Sequence, residues 1–243
     1  MRILIFSDIH ANLAALEAVL SAAGDVDAAW CLGDLVGYGP NPNECIERVR
    51  ALPNLLCVLG NHDAAALGYI ELSAFNYEAQ LSVLWTQNHL TRSSELFLRN
   101  LPDKLQNGDV TLAHGSPRNP VWEYLLDLQT ADINFDYFET RLCFVGHTHL
   151  PIVFYRPSPM TNEVNWKTVY DGEVIRISGR AILNPGSVGQ PRDHNPMAAY
   201  MIFHPEDSSC EFFRVSYNVT DVQERIYEAG LPLRHAVRLS EGW

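Results

Sequence analysis

The chain has 243 residues, enough for one domain with a substantial core or for two small ones. A hydrophobic share of 47% against 19% charged residues excludes a disordered, collagen-like or coiled-coil protein. The formal net charge of −12 argues against DNA or RNA as a stable partner, because an acidic surface repels polyanions.

In chain order, Arg2 to Ser7 reads as a short buried strand, and Asp8-Ile9-His10 follows at once. Asn12 to Ala22 is predicted helical, with Leu13, Leu16, Val19 and Leu20 on one face and Asn12 as the cap. Ala28 to Leu32 is a second strand and leads into Gly33-Asp34. A second helix, Asn43 to Arg50, is entered through the turn Pro40-Asn41-Pro42-Asn43. Leu55 to Leu59 leads into Gly60-Asn61-His62-Asp63. The stretch 64–102 reads as a mostly helical insert, with Tyr77, Leu81, Leu84 and Trp85 at packing intervals.

Beyond the insert, Val110 to Ala113 runs into His114-Gly115. Leu142 to Val145 runs into Gly146-His147-Thr148-His149, and Ala181 to Leu183 into Asn184-Pro185-Gly186-Ser187. Val169 to Ile177 alternates in part, as a strand does. Ala198 to Phe203 and Cys210 to Tyr217 flank a turn, so a hairpin is expected, and a short helix follows near Asp221 to Glu228. Strands alternating with helices imply an α/β sheet, whose ligands bind beyond the carboxyl ends of the strands. With no linker or repeat in view, residues 1–243 read as a single domain.

Five cysteines, Cys31, Cys45, Cys57, Cys143 and Cys210, are odd in number, scattered and free of C-x-x-C pairs. That argues against a disulfide framework, and Cys31, Cys57 and Cys143, which sit in apolar runs, are expected to be buried reduced thiols. No secretory signal and no membrane-spanning apolar stretch is visible, so a cytoplasmic protein without membrane association is expected. Nothing demands an oligomer, though the helical insert or the hairpin could support a homo-oligomer.

The chemistry gathers in five blocks. Asp8 and His10 stand two apart, as do His147 and His149; on extended backbone such residues point the same way and can share one metal. Asp34, Asn61 and His114 each end a strand. Two carboxylates, one carboxamide and four imidazoles suit Mn, Fe, Zn or Ni better than Ca or Mg. Seven ligands are too many for one tetrahedral site, whereas two metals sharing an aspartate use them all. Two divalent ions held by two carboxylates leave a net positive centre, which suits a phosphate group.

Asp8-x-His10, Gly33-Asp34, Gly60-Asn61-His62-Asp63, His114-Gly115 and Gly146-His147-Thr148-His149, in that order, resemble the calcineurin-like metallophosphoesterase superfamily. The run Asn184 to Arg192 resembles its small bacterial phosphodiesterase-like branch. The resemblance implies a four-layered α/β sandwich, two β-sheets flanked by helices. It implies one metal on Asp8, His10, Asp34 and His149, and another on Asp34, Asn61, His114 and His147. It also implies that metal-bound hydroxide attacks a phosphate mono- or diester while His62 faces the substrate and assists the leaving group. Asp63 is expected to orient His62 by accepting from its ring.

The chain departs from the protein-phosphatase branch, which carries a phosphate-gripping arginine shortly after Gly-Asp. Here Leu35 to Pro40 contains none. Arg192 and Arg118 are the alternative substrate contacts, to be weighed against surface ion pairs. Gly186 and Gly189 are expected to serve a tight turn. Trp122 and Tyr124 could stack on a base or aryl group, though packing is the simpler role. His89, His204 and His235 are expected in surface or packing roles, and His194 has no role in the motif. Other readings of the same residues are a dinucleoside polyphosphate hydrolase, a protein phosphatase and a non-catalytic scaffold; the intact ligand set disfavours the last.

Overall fold

The computed structural model describes residues 1–157 and 163–243. The chain runs β1 (Ile3–Phe6), α1 (Leu13–Ala23), β2 (Ala28–Cys31), α2 (Pro42–Arg50), β3 (Leu56–Cys57) and α3 (Asn61–Ala66). The insert continues with α4 (Tyr77–His89) and α5 (Arg92–Arg99). Next come β4 (Lys104–Asn107), β5 (Val110–Ala113), α6 (Leu128–Asn134), β6 (Leu142–Phe144), β7 (Pro151–Arg156) and β8 (Asn165–Thr168). The last elements are β9 (Val174–Arg176), β10 (Arg180–Pro185), β11 (Ala198–His204), β12 (Ser209–Val215), α7 (Val219–Glu228) and α8 (Leu233–Glu241).

Two mixed six-stranded sheets result, in the orders β3-β2-β1-β11-β12-β9 and β4-β5-β6-β10-β7-β8. Strand alternation explains how they stack. Ile3, Ile5, Leu142, Phe144, Ala181 and Leu183 face into one buried cluster between the sheets. Their neighbours Leu4 and Phe6 face outward onto α1 and α2, while Cys143 and Ile182 face outward onto α6. The layers are therefore helix, sheet, sheet, helix. All five cysteines are buried and free. No helix among the described residues is long and apolar enough to cross a membrane.

β1, β2 and β3 are mutually parallel, and so are β5, β6 and β10. Each trio delivers its carboxyl ends to one edge, and the five blocks follow those ends. Asn12 caps α1 by accepting from the Ala15 amide at 3.1 Å, and its own amide donates to Gly189 O at 3.0 Å. That second bond ties the first block to the loop after β10.

Two expectations need correction. Of the predicted strand Val169–Ile177 only Val174–Arg176 (β9) is strand and joins the first sheet; β8, which ends just before it at Thr168, joins the second, and Gly172 at φ +75° lies in the turn between them. Of the α4 residues expected to pack, Tyr77, Leu81 and Leu84 are 69%, 39% and 41% exposed, whereas Trp85 packs against the cluster of α7 and α8. The helix buries its small face instead, through Ala79, Ser82, Val83 and Thr86.

Candidate metal centre

The seven candidate ligands converge and are buried. Two groups of potential ligand atoms form, Asp8-His10-His149 and Asp34-His114-His147, and a third, His10-Asp34-His62, links them. Asp34 is the hinge of the arrangement. Its Oδ1 accepts from the His62 amide at 2.8 Å. Its Oδ2 has no hydrogen-bond partner among the described residues and lies 3.7 Å from His10 Nε2 and 3.3 Å from His114 Nε2. Asp8 repeats the division: Oδ2 accepts from the His147 amide at 3.1 Å, while Oδ1 is unpartnered and 3.2 Å from His149 Nε2. Asn61 Oδ1 lies 3.0 Å from His114 Nε2.

Each imidazole is tied at its far nitrogen to a backbone carbonyl. His10 Nδ1 lies 3.1 Å from Val36 O, His114 Nδ1 2.8 Å from Leu32 O, and His149 Nδ1 2.5 Å from Gln190 O. His147 is turned over, with Nε2 3.0 Å from Trp122 O. A carbonyl only accepts, so the tied nitrogen carries a proton, and the inward nitrogen of a neutral ring presents a lone pair. Inward nitrogens then face each other at 3.2 Å, His10 with His149 and His114 with His147. Lone pairs facing each other between His10 and His149, and carboxylate oxygens without hydrogen-bond partners among the described residues, are unfavourable unless cations lie between them. On donor chemistry and geometry, the residues fit two divalent ions.

The backbone here corrects one premise of the sequence reading. Asp8, His10, Asp34, His147 and His149 do not sit on extended chain; all have left-handed φ, between 49° and 66°. Asp and His tolerate that region better than most residues, yet it costs roughly 1–2 kcal/mol per residue. Five such positions cost on the order of 5–10 kcal/mol, comparable to a domain's net stability. The strain persists because the sheet core and amide-to-carbonyl bonds overdetermine the loops: Asp8 N donates to Gly33 O, and His10 N to Asp34 O, both at 3.0 Å.

Burial raises carboxylate pKa values, but the surrounding imidazoles outweigh it and hold Asp8 and Asp34 well below the usual range. Burial lowers His10 and His149, and takes His62 to about 4 and His147 to about 3. At His114 burial pulls down too, but the Asp34 charge and hydrogen bond prevail and lift it to about 9. Metal-free protein at neutral pH therefore carries a second ring proton on His114, at the inward Nε2 beside Asp34, while the other three candidate imidazole ligands are neutral. Metal loading at pH 7.5 is expected to release about one proton. Calorimetry in buffers of different ionisation enthalpy measures it; no release would contradict the arrangement. The raised His114 stabilises the metal-free fold below its unfolded value of 6.5, and that contribution fades as pH rises through about 9. The lowered His62 and His147 act oppositely. Their contribution is complete above 6.5 and is lost as pH falls through about 4 and then 3.

His62 lies against this centre, with its ring centroid 5.0 Å from that of His10. Its Nδ1 is buried and unpartnered, and a Cβ at Gly37 would approach it to 2.6 Å, so Gly37 makes room for the ring. Asp63 does not orient His62 as expected. Its oxygens accept from the Val36 and Gly60 amides, both at 3.1 Å, and pin the loop after Asp34 to the start of α3. A Cβ on Gly60 would collide with the Asp34 carboxylate and amide. Gly60→Ala is therefore expected to cost about 1–3 kcal/mol, lowering Tm by several degrees. A Tm and metal content equal to wild type would refute that.

The two candidate arginines part company. Arg118 pairs with Glu123 and lies 5.9 Å from the Tyr137 ring. Arg192 donates through Nη2 to Gln190 Oε1 at 3.1 Å, in the loop that anchors His149. His194 stacks on Trp243, and His235 is buried against Tyr38. Trp122 and Tyr124 border the centre, with Tyr124 stacked on His147 at 3.8 Å. Tyr38 packs 4.6 Å from His10 and 4.4 Å from His62. Sequence reasoning missed Tyr38; its place between Gly37 and Gly39 in the Asp34 loop was the available signal.

Residues 1–208 match the family model described as the calcineurin-like phosphoesterase superfamily domain. An uncharacterised protein of Methanocaldococcus jannaschii is 38% identical, over 95% of this chain and 93% of that one. Phosphodiesterase YfcE of Escherichia coli is 26% identical, over 83% of this chain and 87% of that one. A crystal structure of a metallophosphoesterase from Sphaerobacter thermophilus superposes with a TM-score of 0.91 at 48% identity and covers 100% of both chains.

Proposed function

The chain belongs to the calcineurin-like phosphoesterase superfamily, whose members use two divalent metals, and is a metal-dependent phosphoester hydrolase; from this we propose that it cleaves small phosphate mono- or diesters at the centre around Asp34. One ion would be held by Asp8, His10, Asp34 and His149, and the other by Asp34, Asn61, His114 and His147. The observation that carries this reading is the unpartnered Asp34 Oδ2 lying between His10 and His114. When bound, such ions supply Lewis acidity toward both phosphate and water.

The protein's own groups do the rest. Backbone carbonyls of Leu32, Val36, Trp122 and Gln190 fix the imidazole tautomers. Asp63 holds the Asp34 loop against α3 as a positioning residue. His62 faces the leaving group and donates a proton or hydrogen bond to its oxygen. Arg192 meets the phosphate. The named activity of the Escherichia coli relative, and the absence of arginine from Leu35 to Pro40, both favour diesters over phosphoproteins.

The test is hydrolysis of p-nitrophenyl phosphate and bis(p-nitrophenyl) phosphate with added Mn and with chelator. Activity that needs the ion supports the reading. A protein carrying two metals per chain that cleaves neither ester, nor any in a panel of natural diesters, would refute it.

A further inference from the structure

Resting on the hydrolase reading above, a finer assignment follows from how Arg192 is held. Arg118 meets a carboxylate, Glu123, which cancels its charge. Among the described residues Arg192 donates to the neutral amide of Gln190 and pairs with no carboxylate, and the adjacent Asp193 is paired elsewhere, with Arg214. A neutral acceptor orients a guanidinium and leaves its full charge for a ligand. Two N–H donors here, Arg192 Nε and Gln190 Nε2, are buried without partners among the described residues, and Gln190 is only 1% exposed. Buried donors without acceptors are rare and costly, and an anion at the centre would supply an acceptor.

Two phenols border the same centre. Tyr124 stacks on His147, a candidate ligand of one ion, and Tyr38 packs against His10, a candidate ligand of the other. We propose that Arg192, oriented by Gln190, is the phosphate grip of this centre, with the hydroxyls of Tyr38 and Tyr124 as further donors to the same anion. Phenol hydroxyls are hydrogen-bond donors at neutral pH. Phosphate oxygens not engaged by metal would accept from Arg192 and from the phenols, and Gln190 would act as the positioning residue.

Titration of inorganic phosphate into Mn-loaded protein, followed by calorimetry with metal content measured on the same samples, tests this. Arg192→Ala and Gln190→Glu are expected to keep two metals and to bind phosphate about 10–100-fold more weakly. Tyr124→Phe should lose about 3–10-fold. Wild-type affinity in metal-loaded Arg192→Ala or Gln190→Glu overturns the proposal. If Gln190→Glu does not fold, Arg192→Lys decides, since it keeps the charge and loses the fork; wild-type affinity there overturns it too. Wild type that shows this pattern yet cleaves no ester sinks the hydrolase reading and upholds the grip. Wild type that cleaves esters while Arg192→Ala binds phosphate normally sinks the grip alone.

Discussion

Asp34→Asn is expected to lower kcat/KM by about 10³-fold or more and to leave fewer than two metals per chain. A metal Lewis acid contributes several kcal/mol to a phosphoryl-transfer transition state, and each 1.36 kcal/mol is a factor of ten. The substitution keeps the shape of the side chain, and the asparagine oxygen can still accept from the His62 amide, as Asp34 Oδ1 does at 2.8 Å. What changes is the inner atom. Where Oδ2 lies 3.3 Å from His114 Nε2 and 3.7 Å from His10 Nε2, an amide would offer N–H instead of a lone pair. The negative charge that lifts His114 to about 9 also disappears, so the proton released on loading should shrink. Elemental analysis, kinetics and calorimetry report on the same variant. Two tightly held metals with near-wild-type turnover would remove Asp34 from the shared position.

Much of this centre is legible in the sequence because its ligands are chemically conspicuous and follow strand ends. Asp8, Asp34, Asn61, His114 and the His147-His149 pair all stand where short apolar runs stop, and the structure brings them together. The fold is legible for a related reason: Ile3 to Phe6 and Leu142 to Phe144 are apolar throughout, as strands buried on both faces must be.

Other features have no signature in residue type. Any residue offers a carbonyl, so nothing marks Leu32, Val36, Trp122 or Gln190 as the anchors that set the imidazole tautomers. Left-handed φ at Asp8, His10 and Asp34 is permitted by their side chains but not announced by them. Helix α4 misleads in part because Tyr77, Leu81 and Leu84 repeat at packing intervals yet stay exposed, while Ala79, Ser82, Val83 and Thr86 face the core. Between the arginines, one clue was present: Glu123 lies five residues after Arg118 and pairs with it.

His62→Ala should lower kcat by about 10²–10⁴-fold while leaving both metals in place. His62 belongs to the group His10-Asp34-His62 by proximity, so a spectator role and a ligand role both need separating from proton donation. Its seat favours donation. Gly37 leaves space for the ring, Tyr38 packs on it at 4.4 Å and Phe75 at 5.0 Å, so its orientation is fixed by packing and not by a carboxylate. Burial brings its pKa to about 4, so without substrate it is neutral at pH 7. A neutral imidazole still donates a hydrogen bond, and a bound phosphate anion raises the pKa toward the range where full proton transfer becomes possible. The loss in His62→Ala should therefore grow as the leaving group becomes more basic, smallest for p-nitrophenol and largest for an alkyl alcohol. Rates across a series of aryl and alkyl esters measure that slope. A loss equal for every leaving group would make His62 a structural element of the pocket, and a loss of one metal would make it a ligand.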